Sequence, residues 1–454
     1  MKAARPHPIG GATGEHSIDR CARNPHNLVF SMVQERNGGV DMKARQIRMA
    51  KEMNFDIVVI GGGIVGLASA YKIQSRFPDV RIAVLEKEDE LAMHQTGRNS
   101  GVIHSGLYYK PGTSKAVNCT KGRTQLIRFA EEHSIPHQIC GKIIVATEEA
   151  QLKRLEEVFR NGQQNQIEGL EKITPEQIRK IEPYCGGIAG IYVQSTGIID
   201  FKQVAEKLAE LIRTKSKTSA ILTRTKATGI DKVGQATTVI TNNGIFKTKF
   251  LINCAGLQSD RIAGMDGLNP SVRIVPFRGD YYELTEAAAY KVKNLIYPVP
   301  DPTFPFLGVH FTRMISGIVE AGPNAVFSFK REGYGKFDFS LKDTCDALGF
   351  GGTWKLFLRH YKYGINEYKK ALFKRTFLRH LQKLVPSLTA RDIRPSRAGV
   401  RAQAVEAGGE VIDDFRIEKG LHSIHVLNAP SPAATACLAI GETISQIASE
   451  HFKL

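Results

Sequence analysis

Phe55-Asp56-Ile57-Val58-Val59-Ile60-Gly61-Gly62-Gly63-Ile64-Val65-Gly66-Leu67-Ala68-Ser69-Ala70-Tyr71-Lys72-Ile73 is the stretch on which the fold turns. Its first six residues are too short and too β-branched a run for a helix, so they read as a buried strand. Gly61, Gly63 and Gly66 then fill the three places of G-x-G-x-x-G. The first glycine permits the tight turn. The second lets backbone approach a pyrophosphate at the helix N-terminus, and the third lets the helix pack closely on the strand. A lone glycine pattern is weak, but here a second apolar run, Val80-Arg81-Ile82-Ala83-Val84-Leu85, follows the helix. It ends in Glu86, about 20 residues past Gly66, where a carboxylate meets the ribose hydroxyls. Together the four parts predict a dinucleotide site, and the carboxylate favours FAD or NAD over a 2′-phosphorylated nucleotide.

The chain has 454 residues, more than one typical domain, with 42% hydrophobic and 24% charged residues, the balance of a globular protein. No apolar run approaches the roughly 18 residues of a membrane span. Seven cysteines without C-x-x-C spacing argue against zinc and against a disulfide framework, and no metal site is expected. A net charge of +17 suits nucleic acid, an anionic bilayer or acidic substrates. The sequence carries no nucleic-acid motif, so nucleic acid is not expected as a partner.

Residues 1–52 precede the first strand and are basic, with Pro and Gly and little periodicity. They read either as a mitochondrial transit segment or as a plain disordered tail. Met42 could serve as an internal start, and Glu15, Asp19, Glu35 and Asp41 spoil the acid-poor signature. The loop Gly97-Arg98-Asn99-Ser100-Gly101-Val102-Ile103-His104-Ser105-Gly106 follows the second strand closely enough to lie across a cofactor. Near residue 135 the pattern changes, and Thr174-Pro175 reads as a helix cap. Asn242-Asn243-Gly244 signals a hairpin, and Phe250–Gly256 a buried strand ending in a glycine turn. The stretch 273–330 is strand-rich. Trp354 to Val385 is helical and basic, with Tyr368, Ala371, Leu372, Leu378, Leu381 and Val385 on one stripe. Ile424 to Thr435 reads as strand, turn and helix start, the helix following Pro430-Ser431-Pro432.

The expected architecture is α/β, or α+β taken as a whole, with a Rossmann-like nucleotide-binding domain from 53–135, 198–270 and 391–454. An antiparallel-sheet substrate domain comes from 136–197 and 271–335. A small basic helical subdomain, 336–390, is expected to be able to lie on a membrane.

The fingerprint, the 97–106 loop, Asn253-Cys254-Ala255-Gly256 and the C-terminal strand and turn resemble the D-amino-acid-oxidase-like group of FAD enzymes. A closer resemblance is to the L-2-hydroxyglutarate dehydrogenase family. It is carried by His94–Gly106, Phe277-Arg278-Gly279-Asp280-Tyr281, Pro305–Thr312, Gly322-Pro323-Asn324-Ala325 and Asn428–Thr435, and covers about residue 55 to the C-terminus. The resemblance implies FAD, oxidation of L-2-hydroxyglutarate to 2-oxoglutarate with hydride transfer from C2 to flavin N5, and a mitochondrial setting at the inner membrane. It also implies electrons passed to the respiratory chain through a quinone or an electron-transfer flavoprotein rather than to NAD.

That chemistry needs a base near the hydroxyl, cations for two carboxylates, and positive potential beside the flavin. His104 or His310 is the expected base. Arg278 and Arg401 are the expected carboxylate forks, with Tyr281 and Thr435 as hydroxyl donors. The cofactor set is Gly61, Gly63, Gly66, Glu86, Lys87, Thr96, Asn99, Ser100, Gly101, Ala227, Ala255, Gly256, Pro432 and Ala433. His94 and Cys119 are possible covalent tethers. Two rival functions are an oxidase of another hydroxy acid or amine using O₂, which would release peroxide, and a flavin-dependent scaffold or tRNA-modifying factor, suggested by the charge alone.

Overall fold

Alternation in the first strand decides what the rest of the chain must cover. Glu52–Ile60 is buried on both sides from Ile57 onward, as a strand in a doubly covered parallel sheet must be. The computed structural model describes residues 52–234, 236–301 and 307–454. Ile57 and Val59 face one core with helices Ile64–Arg76, Phe201–Lys215 and Cys437–Phe452. Val58 and Ile60 face another, with Ala227, Ile230, Val239 and Phe246 from a β-hairpin layer. Glu52–Ile60 lies between Ile82–Leu85 and Gly244–Asn253, parallel to both; Ala220–Leu222 and Ser423–Asn428 extend the sheet in the same sense. The expected turn at Asn242-Asn243 joins the antiparallel strands Ala236–Thr241 and Gly244–Asn253. The segment 1–51, with the transit reading and Met42, lies outside the described residues.

A second sheet covers the end of the first. Its spine is the antiparallel pair Val272–Leu284 and Ile393–Glu406, in register from Val272↔Glu406 to Leu284↔Ile393 with one irregularity beside Asp280. Residues 393–406 therefore belong to the second sheet and not, as expected, to the nucleotide-binding domain. The cause is long-range pairing, which a local pattern does not carry. The sheet is also mixed rather than wholly antiparallel: Leu295–Pro298 runs parallel to Lys142–Ala146. Thr174 caps Pro175–Ile181, as its sequence predicts, and also forms a capping box with Gln177. A small sheet of Val102–Ile103, Gly197–Ile199 and His137–Gln138 holds the 97–106 loop between the two large sheets.

The basic stretch is not one helix with one stripe. It forms Gly351–Arg359, Tyr361–Leu372 and Lys374–Leu384, separated at His360 and Phe373. Phe377, Leu378, Leu381 and Leu384 pack under the second sheet, whereas Leu372 faces solvent. Lys370 is buried and paired with Glu367, whose other oxygen accepts the Ala325 N–H at 2.9 Å. The C-terminal helix also starts later than its pattern suggests. Residues 431–436 form turns, with the Ala436 N–H donating to Pro432 O, and the regular helix begins at Cys437.

Candidate active site

The nucleotide cradle is built by close backbone approach. Gly61 has φ +117°, and a Cβ there would stand 2.4 Å from the Cys254 carbonyl oxygen. The Gly61 N–H donates to Leu85 O and the Cys254 N–H to Ile60 O, both at 2.8 Å, so three strand ends meet at the turn. A Cβ at Gly66 would lie 2.1 Å from Gly61 O, so only glycine lets the helix sit there. At Gly63 the sole neighbour of a Cβ would be Thr96 Oγ1 at 3.3 Å, which leaves the turn open toward a ligand. No side chain of Gly63 caps the helix and its first turn holds no acidic residue. The Ile64 N–H donates to Thr96 Oγ1 at 3.0 Å. The other first-turn amides and the helix dipole suit a pyrophosphate.

Glu86 accepts the Gly62 N–H through Oε2 and the Glu88 N–H through Oε1. The Thr225 N–H donates to Glu86 O and the Arg224 N–H to Glu88 O, which brings the start of Ala227–Val233 beside the carboxylate. Ala255 and Gly256 form the adjoining turn, and a Cβ at Gly256 would touch the Gln95 amide at 3.1 Å. Cradle, acidic residue and Ala227 segment thus come together, and this arrangement fits a dinucleotide with a free ribose. Lys87 is held more tightly than expected: its ammonium pairs with Glu88 and Glu332 and lies 2.8 Å from His94 Nε2. Donor atoms of Glu88, His94 and Glu332 converge there, around the Lys87 cation. Neither tether candidate stands free. His94 Nδ1 meets the Tyr334 hydroxyl at 2.5 Å, and Cys119 donates weakly to His104 O, its thiol pushed up to about 12 by burial.

The loop 97–106 is shaped by its own polar side chains. Asn99 donates to the carbonyls of Gln95 and Thr96 and accepts the Gly101 N–H. Gly101, at φ +65°, passes so close to Ile199 O that a Cβ would be 2.8 Å from it. Arg397, which no local signal in the sequence singles out, clamps this loop to the second sheet. Its guanidinium donates to Gly97 O at 2.7 Å and Asn99 O at 2.8 Å and pairs with the buried Glu320 at 2.7 Å. Arg397→Lys cannot span three acceptors with one ammonium. We expect kcat to fall on the order of tenfold through a shifted loop, with flavin content retained, as read by steady-state rates and absorbance.

The strands of the second sheet deliver the polar residues. Register pairs Leu295 with Thr312, Ile296 with Phe311 and His310 with Gly322. Alternation then sends Tyr281, Tyr297, His310 and Thr312 to one face, while Ile296, Phe311 and Tyr282 enter the opposite core. The His310 ring lies 4.1 Å from the Tyr297 ring. His310 Nδ1 is 2.9 Å from Gly308 O; a carbonyl only accepts, so Nδ1 carries the proton and Nε2 keeps its lone pair. Burial pushes the imidazole down to about 4, and the charges of Arg401 and Lys142 add to the effect. His104 is pushed down to about 3 by burial, then by Lys142 and His310. Both imidazoles are therefore neutral near pH 7.

Thr435 is committed to this loop: its hydroxyl accepts the His104 N–H at 3.1 Å and donates to Val102 O at 3.2 Å. Pro432 and Ala433 lie in the turn just before it, the Ala433 N–H donating to Pro430 O. Ser100, on the loop, acts on the Tyr297 phenol of the second sheet. The two arginines differ. Arg278 is buried against Asp280 at 2.9 Å and donates to Gly335 O. Arg401, opposite Phe277 in the long pair, acts on both His310 and Tyr281. Burial pushes the Tyr281 phenol up to about 12, so it stays a neutral donor. The structure thus gathers His104, His310, Tyr281 and Arg401, and leaves Arg278 in an ion pair of its own.

Comparison with known proteins gives the family. The profile described as FAD dependent oxidoreductase matches residues 56–447. L-2-hydroxyglutarate dehydrogenase of Indibacter alkaliphilus is 47% identical over 401 residues, 88% of this chain and all of that one. The chain belongs to the L-2-hydroxyglutarate dehydrogenase family of FAD-dependent oxidoreductases. The mitochondrial L-2-hydroxyglutarate dehydrogenase of Homo sapiens is 44% identical over 424 residues, 90% of this chain and 91% of that one. Among solved structures, reduced L-α-glycerophosphate oxidase from Mycoplasma pneumoniae with FAD bound shares the fold. Its TM-score is 0.70 at 24% identity, over 87% of this chain and 94% of that one. The cofactor of this family is FAD, and the cradle around Gly61–Gly66 and Glu86 fits it. When bound, it supplies the two-electron acceptor.

Proposed function

We propose that the protein oxidises L-2-hydroxyglutarate to 2-oxoglutarate, with His310 as the base that takes the hydroxyl proton. The observation that carries this reading is the Nδ1-to-Gly308 O bond, which leaves Nε2 unprotonated with a lone pair that can accept a proton. The substrate loses a hydride from C2 and a proton from its hydroxyl, and His310 accounts for the proton. Arg401 grips the C1 carboxylate beside the reacting carbon, and the neutral Tyr281 phenol donates to it. The lowered imidazole pKa keeps the base ready across the neutral range. His104, on the loop held by Thr435, faces the same space and orients the hydroxyl. The test is anaerobic bleaching of the flavin absorbance by L- and D-2-hydroxyglutarate, lactate and glycerol 3-phosphate. Rapid bleaching by the L-diacid alone is expected; equal bleaching by all four would remove the assignment. Peroxide formed at the rate of turnover would instead mark an oxidase.

The electron acceptor in this reading is the respiratory chain, through a quinone or an electron-transfer flavoprotein, at the mitochondrial inner membrane. The names of the mitochondrial relatives and the basic character of residues 1–51 support the compartment. Membrane contact is supported by the outward faces of the helical subdomain. Trp354, Leu358, Tyr361, Ile365, Leu372 and Phe373 are all more than half exposed, among exposed Lys355, Arg359, Lys362, Lys369 and Arg375. Apolar side chains amid cations suit an anionic bilayer surface. Leu358→Glu/Ile365→Glu is expected to abolish co-sedimentation with cardiolipin-containing vesicles and leave turnover with a soluble dye unchanged. Undiminished co-sedimentation would exclude this face.

A further inference from the structure

The proposed reaction leaves one buried cation without a task. Lys142 opens the strand Lys142–Ala146 and is 1% exposed. Among the described residues no carboxylate pairs with it. Its ammonium lies 4.7 Å from the ring centre of Tyr108 and 4.8 Å from that of Tyr297. The same Tyr297 ring packs tilted against His310, 4.1 Å between ring centres, so ammonium and base are one ring apart. Alternation places Lys142 on the face of the sheet that carries Tyr297 and His310, because Ile144 shares the core of Tyr297 and Ile143 the opposite one. The Tyr108 hydroxyl is itself buried without a hydrogen-bond partner among the described residues. A buried ammonium facing two π-faces is partly compensated. An uncompensated remainder of positive charge next to a base is a site for an anion.

We propose that Lys142 receives the distal carboxylate of the substrate, with the Tyr108 hydroxyl as its companion donor, and so selects diacids over monoacids. The assignment rests on the proposed substrate and deepens it. Two cations then divide the work. Of the two, Arg401 acts the more strongly on His310 and serves the carboxylate at the reacting end. Lys142 acts most on His104 and serves the other. The groups around Lys142 are His104 on the loop, Tyr108 just after it, Cys119 on helix Ser114–Glu132, Tyr297 and His310, with Lys115 acting on the same His104 and Arg401 on the same His310. None of them is anionic near pH 7. Burial pushes the amine down to about 7, so the empty site is partly neutral at physiological pH and a bound carboxylate draws the proton back.

The test compares Lys142→Met and Lys142→Arg with the unaltered holoenzyme. One arm measures kcat/KM for L-2-hydroxyglutarate and for L-2-hydroxypentanoate, which has a methyl in place of the distal carboxylate. The other measures binding of glutarate, which cannot react, by calorimetry at several pH values. Lys142→Met is expected to raise KM for the diacid about 10- to 100-fold, the worth of a charge-assisted bond, with little change for the monoacid. Its glutarate binding should collapse, while flavin content and melting temperature hold, because the variant removes an uncompensated buried charge. In the unaltered enzyme glutarate affinity should fall as pH rises above about 7, with proton uptake on binding; in Lys142→Arg that fall should vanish. Equal loss on both substrates, or diacid preference intact in Lys142→Met, would overturn the role. If the unaltered enzyme ignored L-2-hydroxyglutarate yet bound glutarate through Lys142, the substrate would be wrong and the anion site right.

Discussion

Gly61→Val is expected to yield a colourless protein that loses cooperative folding, whereas Gly63→Ala should fold and only bind flavin poorly. The contrast follows from what each Cβ would meet. Gly61 sits at φ +117°, a conformation side chains disfavour by roughly 1–2 kcal/mol even in its milder left-handed form. Its Cβ would also stand 2.4 Å from Cys254 O, which is backbone and cannot rotate away. Relief requires parting Glu52–Ile60 from Gly244–Asn253 at the point where Ile60 and Asn253 are in register. That movement breaks the Cys254-to-Ile60 and Gly61-to-Leu85 bonds and opens a core in which Ile57, Val58 and Val59 are wholly buried. At Gly63 the backbone is extended, with φ −80°, and the only close atom is a hydroxyl at 3.3 Å. An alanine there costs little in the protein and projects into the space of the pyrophosphate. Far-ultraviolet circular dichroism and the visible flavin absorbance separate the two outcomes. A yellow, normally melting Gly61→Val would show that the turn tolerates what its geometry forbids.

The same turn explains why much of the fold is legible in the amino-acid sequence alone. Strand, glycine turn, helix and acidic residue lie within one short segment, and each part has its own local signal. The hairpin at Asn242-Asn243 and the capping box at Thr174 are equally local. What is not legible depends on pairing across distance. Nothing within Ile393–Glu406 states that its partner is Val272–Leu284 rather than the nucleotide sheet. Arg397 and Arg401 differ by four positions in one strand, yet one clamps a loop and the other acts on His310, a division set by long-range pairing. Lys142 reads as an ordinary polar residue at a strand start; its burial between two phenol rings follows from Tyr297 on the neighbouring strand Leu295–Pro298 and from Tyr108, which is far from that strand in sequence. The helical stripe fails for a related reason. Periodicity continues through His360 and Phe373, while the chain turns there and sends Leu372 outward.

His310→Gln is expected to lower kcat by about 10²–10⁴-fold, the worth of a positioned base, while KM changes little because Arg401 remains. Glutamine keeps a donor for Gly308 O and offers no basic nitrogen. His104→Gln should cost less, since in this reading it orients and does not take the proton. The pH dependence carries the sharper distinction. An imidazole at its ordinary value of 6.5 would impose an acid limb on kcat near neutrality. Here burial, with Arg401 and Lys142, holds His310 at about 4, so the rate should stay flat down to about pH 5 and fall only below it. Stability should move in the same window with a definite sign. In the unfolded chain His104 and His310 take up protons as pH falls through 6.5, whereas in the native protein they resist until about 3 and 4. The unfolded state binds more protons there, so native stability declines as pH falls from about 6.5 toward 4. His310→Gln removes one of the two contributions and should melt with a shallower pH dependence than the parent. An acid limb at pH 6.5 that persists in His104→Gln and disappears in His310→Gln would mean that His310 is solvated rather than buried.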